Sequence, residues 1–226
     1  MQNLQVARQL FTSPTQAFTL LKGKPVFALP MWLTLLGTIA VTAWYYSKVD
    51  IAWLQDQMAV AAKVPAAQQE QMAARMTRPV LLWGSVIAAP IAVMVITAVG
   101  ALYFMIAGAI TNMRYSFRHW FAFNWWASSP QVIPFIPSLL ILAFSSTQIP
   151  QSSLQPLSLN ELIFHRASGT PGYSLLSSLG LVQVAAVLLT YIGLRVWSGR
   201  SALFCTIVAV LPTVLIFGTW ALFAFR

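Results

Sequence analysis

Five long apolar stretches without a charged side chain limit the possible folds of this chain more than any other feature. A helix needs roughly 20 apolar residues to cross the hydrocarbon core of a bilayer, which is about 30 Å thick. The stretches therefore predict an all-α membrane protein, a bundle of five transmembrane helices. They run from about Val26 to Tyr46, Val80 to Ile110, Val132 to Ser146, Tyr173 to Leu194 and Ala202 to Phe225. The third is short, with Pro134 and Pro137 near its start, so a re-entrant segment is the alternative to a full crossing there.

Composition excludes a soluble globule. Of the 226 residues, 58% are hydrophobic and 8% are charged, which is too little polar material to cover a globular surface. The net charge is +9, yet Lys and Arg occur singly or in pairs beside apolar segments. Membrane topology explains them better than nucleic-acid binding. The single Cys205 lies in an apolar run and is expected to pack as a small hydrophobic residue.

The distribution of Lys and Arg predicts the orientation. Five spans place seven bases and no acid on the side of the N-terminus, and six bases with all four acids on the other side. Bases are enriched in short cytoplasmic loops, so we expect a cytoplasmic N-terminus and an outer C-terminus. No continuous apolar region precedes the first span, so no cleavable signal peptide is expected. The seven are Arg8, Lys22, Lys24, Arg114, Arg118, Arg195 and Arg200; the six are Lys48, Lys63, Arg75, Arg78, Arg166 and Arg226.

Residues 1–25 are predicted to form an interfacial arm before the transmembrane domain, residues 26–226. Apolar residues recur at helical spacing on both sides of Ser13 and Pro14, which is typical of two amphipathic helices that lie on a membrane surface. Lys22 and Lys24 follow the second helix and are candidates for lipid contact. The simpler interpretation is that the arm only anchors the first span.

The second connection, from Asn112 to Ser129, interleaves aromatic and basic residues. Beside two spans this pattern favours an interfacial helix that contacts anionic headgroups, with a protein partner as the alternative and no nucleic acid. The candidate lipid- or partner-binding residues there are Arg114, Arg118, Trp120, Trp125 and Trp126. The outer loop 48–78 has helical composition broken at Pro65, which predicts two short helices, and it has no catalytic set.

No Asp, Glu, Lys, Arg or His lies in any of the five stretches, which argues against a proton-coupled transporter. No catalytic, metal-binding or cofactor-binding pattern is present, and His119 and His165 are expected on opposite membrane faces. Proline kinks and uncharged polar groups leave open a path for a small neutral or lipidic solute, although hydrogen bonds between helices are the simpler role. The residues of this possible path are Pro90, Thr97, Gln183, Tyr191 and Pro212.

Several segments in order resemble the Yip1 family, in its bacterial branch. They are Ser13-Pro14-Thr15-Gln16-Ala17-Phe18, Phe117-Arg118-His119-Trp120-Phe121 leading to Pro130, Gly193-Leu194-Arg195, Ser198-Gly199-Arg200-Ser201 and Pro212. The resemblance implies five spans and a cytoplasmic N-terminus, in a bacterial inner membrane. Eukaryotic members are linked to small GTPases and vesicle traffic, but their D-L-Y-G-P segment has no counterpart here, so GTPase binding is not implied.

These observations favour a non-enzymatic membrane protein that organises the bilayer through anionic lipid headgroups or a membrane-protein partner, including a second copy of itself. The motivation is the presence of two base-flanked amphipathic segments on one face together with spans that lack charge. A permease or channel for a small neutral or lipidic solute is the alternative.

Overall fold

The computed structural model describes residues 2–62, 71 and 74–225. These residues form helices and no strands, with one isolated bridge between Ser158 and Gly180. The predicted all-α membrane fold is therefore confirmed. The helices are α1 Gln2–Thr12, α2 Pro14–Gly23, α3 Ala28–Lys48, α4 Ile51–Ala62, α5 Arg78–Ile110, α6 Phe117–Ala127, α7 Phe135–Phe144, α8 Tyr173–Ser178, α9 Leu181–Ser198 and α10 Ala202–Ala224.

Among the described residues, four helices are long and apolar enough to cross a membrane: α3, α5, α9 and α10. A fifth candidate is the pair formed by α6 and the segment Ser129–Phe144, which is bent by 48°. This pair is either one broken span or a re-entrant loop. Helices α5 and α10 continue through Pro90 and Pro212 without interruption, as membrane helices often do.

Two predicted spans differ from the helices that form. The third prediction, 132–146, corresponds to α7, whose ten residues are too few to cross a bilayer alone. The fourth, 173–194, is divided at Leu179, whose backbone is extended. The backbone groups there bond to another segment instead of continuing the helix, because Leu159 N donates to Leu179 O and Leu181 N donates to Leu157 O. Helix α9 therefore begins at Leu181 and ends at Ser198.

The chain divides into two compact units. Unit 1 contains Met1–Leu35, Ala92–Val132 and Val182–Gly218, and unit 2 contains Leu36–Ile91, Ile133–Leu181 and Thr219–Arg226. All seven bases predicted on the side of the N-terminus belong to unit 1. The described acids, Asp50, Asp56 and Glu161, belong to unit 2.

The N-terminal arm is built into the core of unit 1. Val6 and Leu10 of α1 are buried, and so are Ala17, Phe18 and Leu21, which form the apolar face of α2. The predicted position of this face is the membrane surface, whereas in the structure Phe18 of α2 packs against Phe123 and other residues of the core. Helix α1 still exposes Leu4 and Phe11, at 67% and 83%. These two side chains remain available to a bilayer.

Unit 2 has a smaller core, and two basic side chains donate hydrogen bonds to carbonyls at the C-terminal ends of its helices. Lys48 Nζ donates to the carbonyls of Leu142 and Ser145 at the end of α7, the latter at 2.6 Å. The Arg78 guanidinium donates to the carbonyls of Tyr46, Ser47 and Val49 at the end of α3, at 2.6, 2.7 and 2.8 Å. The last carbonyls of a helix have no partner within it, and a cation there also meets the negative end of the helix dipole.

The outer loop contains α4, the first of the two predicted short helices. It begins after Asp50, whose carboxylate accepts a hydrogen bond from Trp53 N at 3.2 Å. This is the geometry of an N-cap. The predicted second helix of the loop lies mostly outside the described residues.

Candidate functional site

Helix α6 holds the residues that the sequence singled out for lipid contact. It begins after Ser116, whose hydroxyl lies 2.7 Å from His119 Nδ1, and it ends where Ser128 N donates to Asn124 O. Seven of its eleven residues are buried. A helix that is apolar around most of its circumference lies in a protein core or in a membrane, and the buried side chains of α6 are covered by protein.

The aromatic side chains of α6 pack against aromatic residues from other parts of unit 1. The Trp120 ring lies 5.1 Å from Trp197 and 5.6 Å from Phe123, measured between centroids. Phe123 also contacts Phe18 at 5.2 Å and Phe104 at 5.2 Å. Tilted and edge-to-face pairs at these distances each add about 0.5–1.5 kcal/mol beyond the burial of their area.

A glycine makes room for this cluster on α9. A Cβ atom at Gly193 would lie 2.8 Å from Phe18 Cδ1 and would also overlap the ring of Phe123. Real Cβ atoms do not approach so closely, so the packing of Phe18 and Phe123 requires glycine at this position.

Three hydrogen bonds fix the orientation of the cluster. Trp197 Nε1 donates to Phe18 O at 2.9 Å, and Trp126 Nε1 donates to Val26 O at 2.7 Å. Asn124 Nδ2 donates to Thr97 O at 2.9 Å. The indole N–H groups of Trp120 and Trp125 are buried and have no partner among the described residues.

The structure places Trp120, Trp125 and Trp126, which the sequence suggested for lipid contact, inside the aromatic core of unit 1. Their exposed fractions are 0%, 2% and 2%, so no headgroup reaches them in this structure. An indole is favourable both at a membrane interface and in a core that accepts its N–H or stacks on its ring. The sequence pattern is the same in the two cases.

The bases around this core are exposed. We call Arg8, Lys22, Lys24, Arg114, Arg118, Arg195 and Arg200 the basic residues of unit 1, and all seven side chains are exposed. Lys22 Nζ lies 5.9 Å from the centroid of Tyr115, and Arg200 donates to Thr111 O at 3.0 Å. These two contacts bring Lys22 and Arg200 to the connection that contains Arg114 and Arg118.

Six of these seven side chains form no hydrogen bond or ion pair with any described residue, Arg200 being the exception. Unit 1 also contains no acid in its sequence. An exposed cation without a neighbouring carboxylate is free to bind an external anion, and phosphate groups suit both Lys and Arg.

The five residues of the possible solute path are distributed over both units. Thr97 is buried, and its hydroxyl donates to Val93 O on its own helix at 2.8 Å. Gln183, Tyr191 and Pro212 are half-buried in unit 1, and Tyr191 packs against its core. Pro90 belongs to unit 2. None of these five residues lines the cavity of unit 2 that lies between α4 and the segment 150–173.

The described part of the chain contains no group of three or more His, Cys, Asp or Glu residues that could hold a metal ion. Cys205 is buried, with its sulfur 3.5 Å from Ser198 Oγ. Its burial in the core of unit 1 fits the small hydrophobic residue expected from the sequence.

Unit 2 contains a cavity of about 300 Å³ between α4 and the segment 150–173. Sequence reasoning did not predict it. Its polar residues are separated by about a hundred positions along the chain. The one local signal that could have drawn attention to this segment is the density of Ser, Asn, Gly and Pro in residues 150–172, which is typical of an irregular loop.

Comparison with known proteins identifies one family. A family model described as the Yip1 domain matches residues 8–223. No curated protein and no solved structure matches the chain.

Proposed function

Since this chain belongs to the Yip1 domain family and is a membrane protein in which a non-catalytic role is expected, we propose that it organises the bilayer by binding anionic lipid headgroups. The binding groups are the basic residues of unit 1. The observation that carries the proposal is that six of these seven exposed cations have no hydrogen bond or ion pair with the described residues.

Electrostatics supports this role. A Lys or Arg near an anionic membrane surface contributes about 1 kcal/mol to membrane association. No acid in unit 1 offsets this contribution. The exposed apolar residues Leu4 and Phe11 lie on the same helix as Arg8, an arrangement that combines apolar insertion with charge attraction.

We propose the bacterial inner membrane as the location, with the N-terminus and the basic residues of unit 1 on the cytoplasmic side. Bases concentrate in cytoplasmic loops, and the three described acids all belong to unit 2. Lys48 and Arg78 are two of the six bases that this orientation places on the outer side, where bases are less common. Both donate hydrogen bonds to carbonyls at helix ends in unit 2. Their presence there has a structural reason that is independent of topology.

The permease alternative has less support. Helices α5 and α10 are continuous at Pro90 and Pro212, whereas transporter sites often form where a helix is broken. The hydroxyls of Thr97 and Thr190 bond to carbonyls of their own helices.

The test is native mass spectrometry of the full chain from nanodiscs that contain phosphatidylglycerol or only phosphatidylcholine. We expect the wild-type protein to retain anionic lipid. The variant Lys22→Gln/Lys24→Gln/Arg114→Gln/Arg118→Gln should retain at least about tenfold less, because it lacks four cations of about 1 kcal/mol each. Raising the salt concentration should reduce retention in the wild type.

Arg75→Gln is the matched control, because Arg75 is an exposed base of unit 2. Trp120 and Trp125 are kept in every variant because they belong to the core. Equal retention of anionic lipid by the wild type and the four-base variant, with both folded, would contradict the proposal. Multimers that form without lipid would instead favour a second copy of the chain as the partner.

A further inference from the structure

The cavity in unit 2 has a lining unlike the surface of unit 1. It measures about 300 Å³ and lies between Trp53 and Gln57 of α4 on one side and residues of the segment 150–173 on the other. This volume fits a small ligand or a headgroup rather than a large cofactor. The charged and titratable residues that line it are Glu161, His165, Arg166 and Tyr173.

Two opposite charges share the cavity without pairing. Glu161 and Arg166 both line it, yet no ion pair joins them, and the Glu161 carboxylate forms no hydrogen bond to any described residue. Arg166 donates one hydrogen bond to Pro171 O at 2.6 Å, and a guanidinium has five N–H donors. The guanidinium carbon of Arg166 also lies 5.8 Å from the centroid of the Phe225 ring, a contact with the face of the guanidinium that does not use its in-plane N–H donors. The Glu161 carboxylate and the remaining N–H donors of Arg166 are therefore available to different ends of one ligand.

The loop that presents these charges is fixed by a buried side chain. Asn160 is 2% exposed; its Oδ1 accepts from Arg166 N at 3.0 Å, and its Nδ2 donates to Arg166 O at 3.3 Å. His165 N donates to Asn160 O at 2.7 Å, which closes a single π-helical turn. Such turns occur frequently at functional sites.

This loop holds a strained residue. His165 has φ of 47°, a left-handed conformation that costs a residue with a Cβ roughly 1–2 kcal/mol. The bonds of Asn160 offset this cost, and they hold His165 and Arg166 at the cavity. Strain of this kind is often found where a loop serves a ligand.

Apolar residues adjoin the cavity. Leu162, Ile163 and Phe164 follow Glu161 and are 43%, 63% and 49% exposed. In a membrane protein this exposed triad is suited to hydrocarbon. Trp53 also lines the cavity, and the face of an indole attracts an ammonium group.

We propose that this cavity binds a zwitterion that carries an ammonium and a phosphate group, with Glu161 and Trp53 at the ammonium and Arg166 at the phosphate. The ligand is either the headgroup of phosphatidylethanolamine or the free headgroup. The site is independent of the proposed function, because it belongs to unit 2 and recognises a neutral molecule, whereas the basic residues of unit 1 attract anions.

The experiment is isothermal titration calorimetry of the full chain in an uncharged maltoside detergent. The probes are glycerophosphoethanolamine, ethanolamine alone and inorganic phosphate alone. We expect the zwitterion to bind at least about tenfold more tightly than either half, because it satisfies both charges at once.

Two variants test which residue binds the ammonium end of the ligand and which binds the phosphate end. Glu161→Gln should weaken binding of the zwitterion about tenfold and leave phosphate binding unchanged. Arg166→Gln should weaken both. The matched controls are Asp56→Asn and Arg75→Gln, two exposed charged residues of unit 2 that do not line the cavity. Trp53→Leu is a further variant that alters the ammonium end without changing the loop 160–166, and thermal unfolding checks that each variant is folded.

A second arm identifies the source of the ligand. In nanodiscs with equal phosphatidylethanolamine and phosphatidylglycerol, native mass spectrometry should show phosphatidylethanolamine retained by the wild type and lost in folded Glu161→Gln. Retention of the lipid without binding of the free headgroup identifies the membrane lipid, and binding of both identifies the headgroup itself. The proposal is overturned if the wild type binds neither, if phosphate alone binds as tightly as the zwitterion, or if Glu161→Gln binds like the wild type.

Discussion

Arg78 of unit 2 and Arg118 of unit 1 are both exposed arginines, but their surroundings differ. Arg78 donates to three carbonyls at the end of α3, whereas Arg118 forms no hydrogen bond or ion pair with the described residues. Removing the first exposes helix carbonyls, while removing the second leaves only a less positive surface. A count of bases therefore does not separate cations that stabilise the fold from cations that are free for a ligand.

The interiors of the two units differ in a related way. Unit 1 is held by large aromatic residues such as Trp120, Phe123 and Trp197. Unit 2 has a smaller apolar core around Tyr45, Leu54 and Leu142, together with hydrogen bonds from Lys48 and Arg78. We therefore expect unit 1 to be most sensitive to loss of aromatic volume and unit 2 to loss of charge.

The largest effect is expected for Trp120→Ala. Trp120 is fully buried among aromatic rings, so the change should lower the free energy of unfolding by about 3–5 kcal/mol. The measurement is reversible unfolding in mixed detergent micelles. Arg118→Gln is the control on the same helix and should change stability by less than about 0.5 kcal/mol. A similarly small effect of Trp120→Ala would show that this side chain faces lipid.

Gly193→Ala should have the next largest effect, a loss of about 1–3 kcal/mol. The new Cβ would overlap Phe18 and Phe123, which are themselves enclosed. Gly84→Ala is the matched control, because a Cβ there meets nothing within 4 Å. Unfolding of the two variants in the same micelles should separate them, and equal stability would contradict the close packing of α9 against this aromatic cluster.

Arg78→Gln tests the helix-end role of a cation in unit 2. Loss of its hydrogen bonds to Tyr46, Ser47 and Val49 should cost about 1–2 kcal/mol, reduced from the value for a buried charge because Arg78 is exposed. Arg75→Gln removes an exposed base without these bonds. If the two variants unfold alike, the contrast between bound and free cations fails in unit 2.

The long spans could be predicted because a charge-free stretch of sufficient length is a local signal. Helices α3, α5 and α10 each overlap their predicted ranges to within about two residues at either end. The break before Leu181 could not be predicted, since it depends on hydrogen bonds to Leu157 and Leu159. The shortness of α7 was signalled by Pro134 and Pro137, but not its bent association with α6.

The candidate sites were harder to predict because they depend on distant partners. Trp197 bonds to Phe18 across 179 positions, and no periodicity shows that the apolar faces of α2 and α6 meet protein instead of lipid. Lys22, Lys24, Arg114 and Arg118 could be proposed as binding residues from local sequence, because an exposed charge needs no partner from elsewhere in the chain. The cavity could not be predicted in this way, since Trp53 and Arg166 are far apart in sequence and line the same cavity only in the folded chain.

The smallest effect concerns Asp50 in unit 2. The hydrogen bond from Trp53 N, followed by that from Gln148, holds the pKa of its carboxyl below the usual range. Its stabilisation is therefore complete above the pKa of an unfolded aspartate, about 3.9, and is lost as the pH falls through the lower pKa of the folded protein. Asp50→Asn keeps the N-cap but removes the charge, so the stability difference from wild type should shrink as the pH falls below about 4. Unfolding midpoints between pH 3 and 7 measure this, with Asp56→Asn as control; a difference independent of pH would show that the Asp50 charge contributes nothing to this helix start.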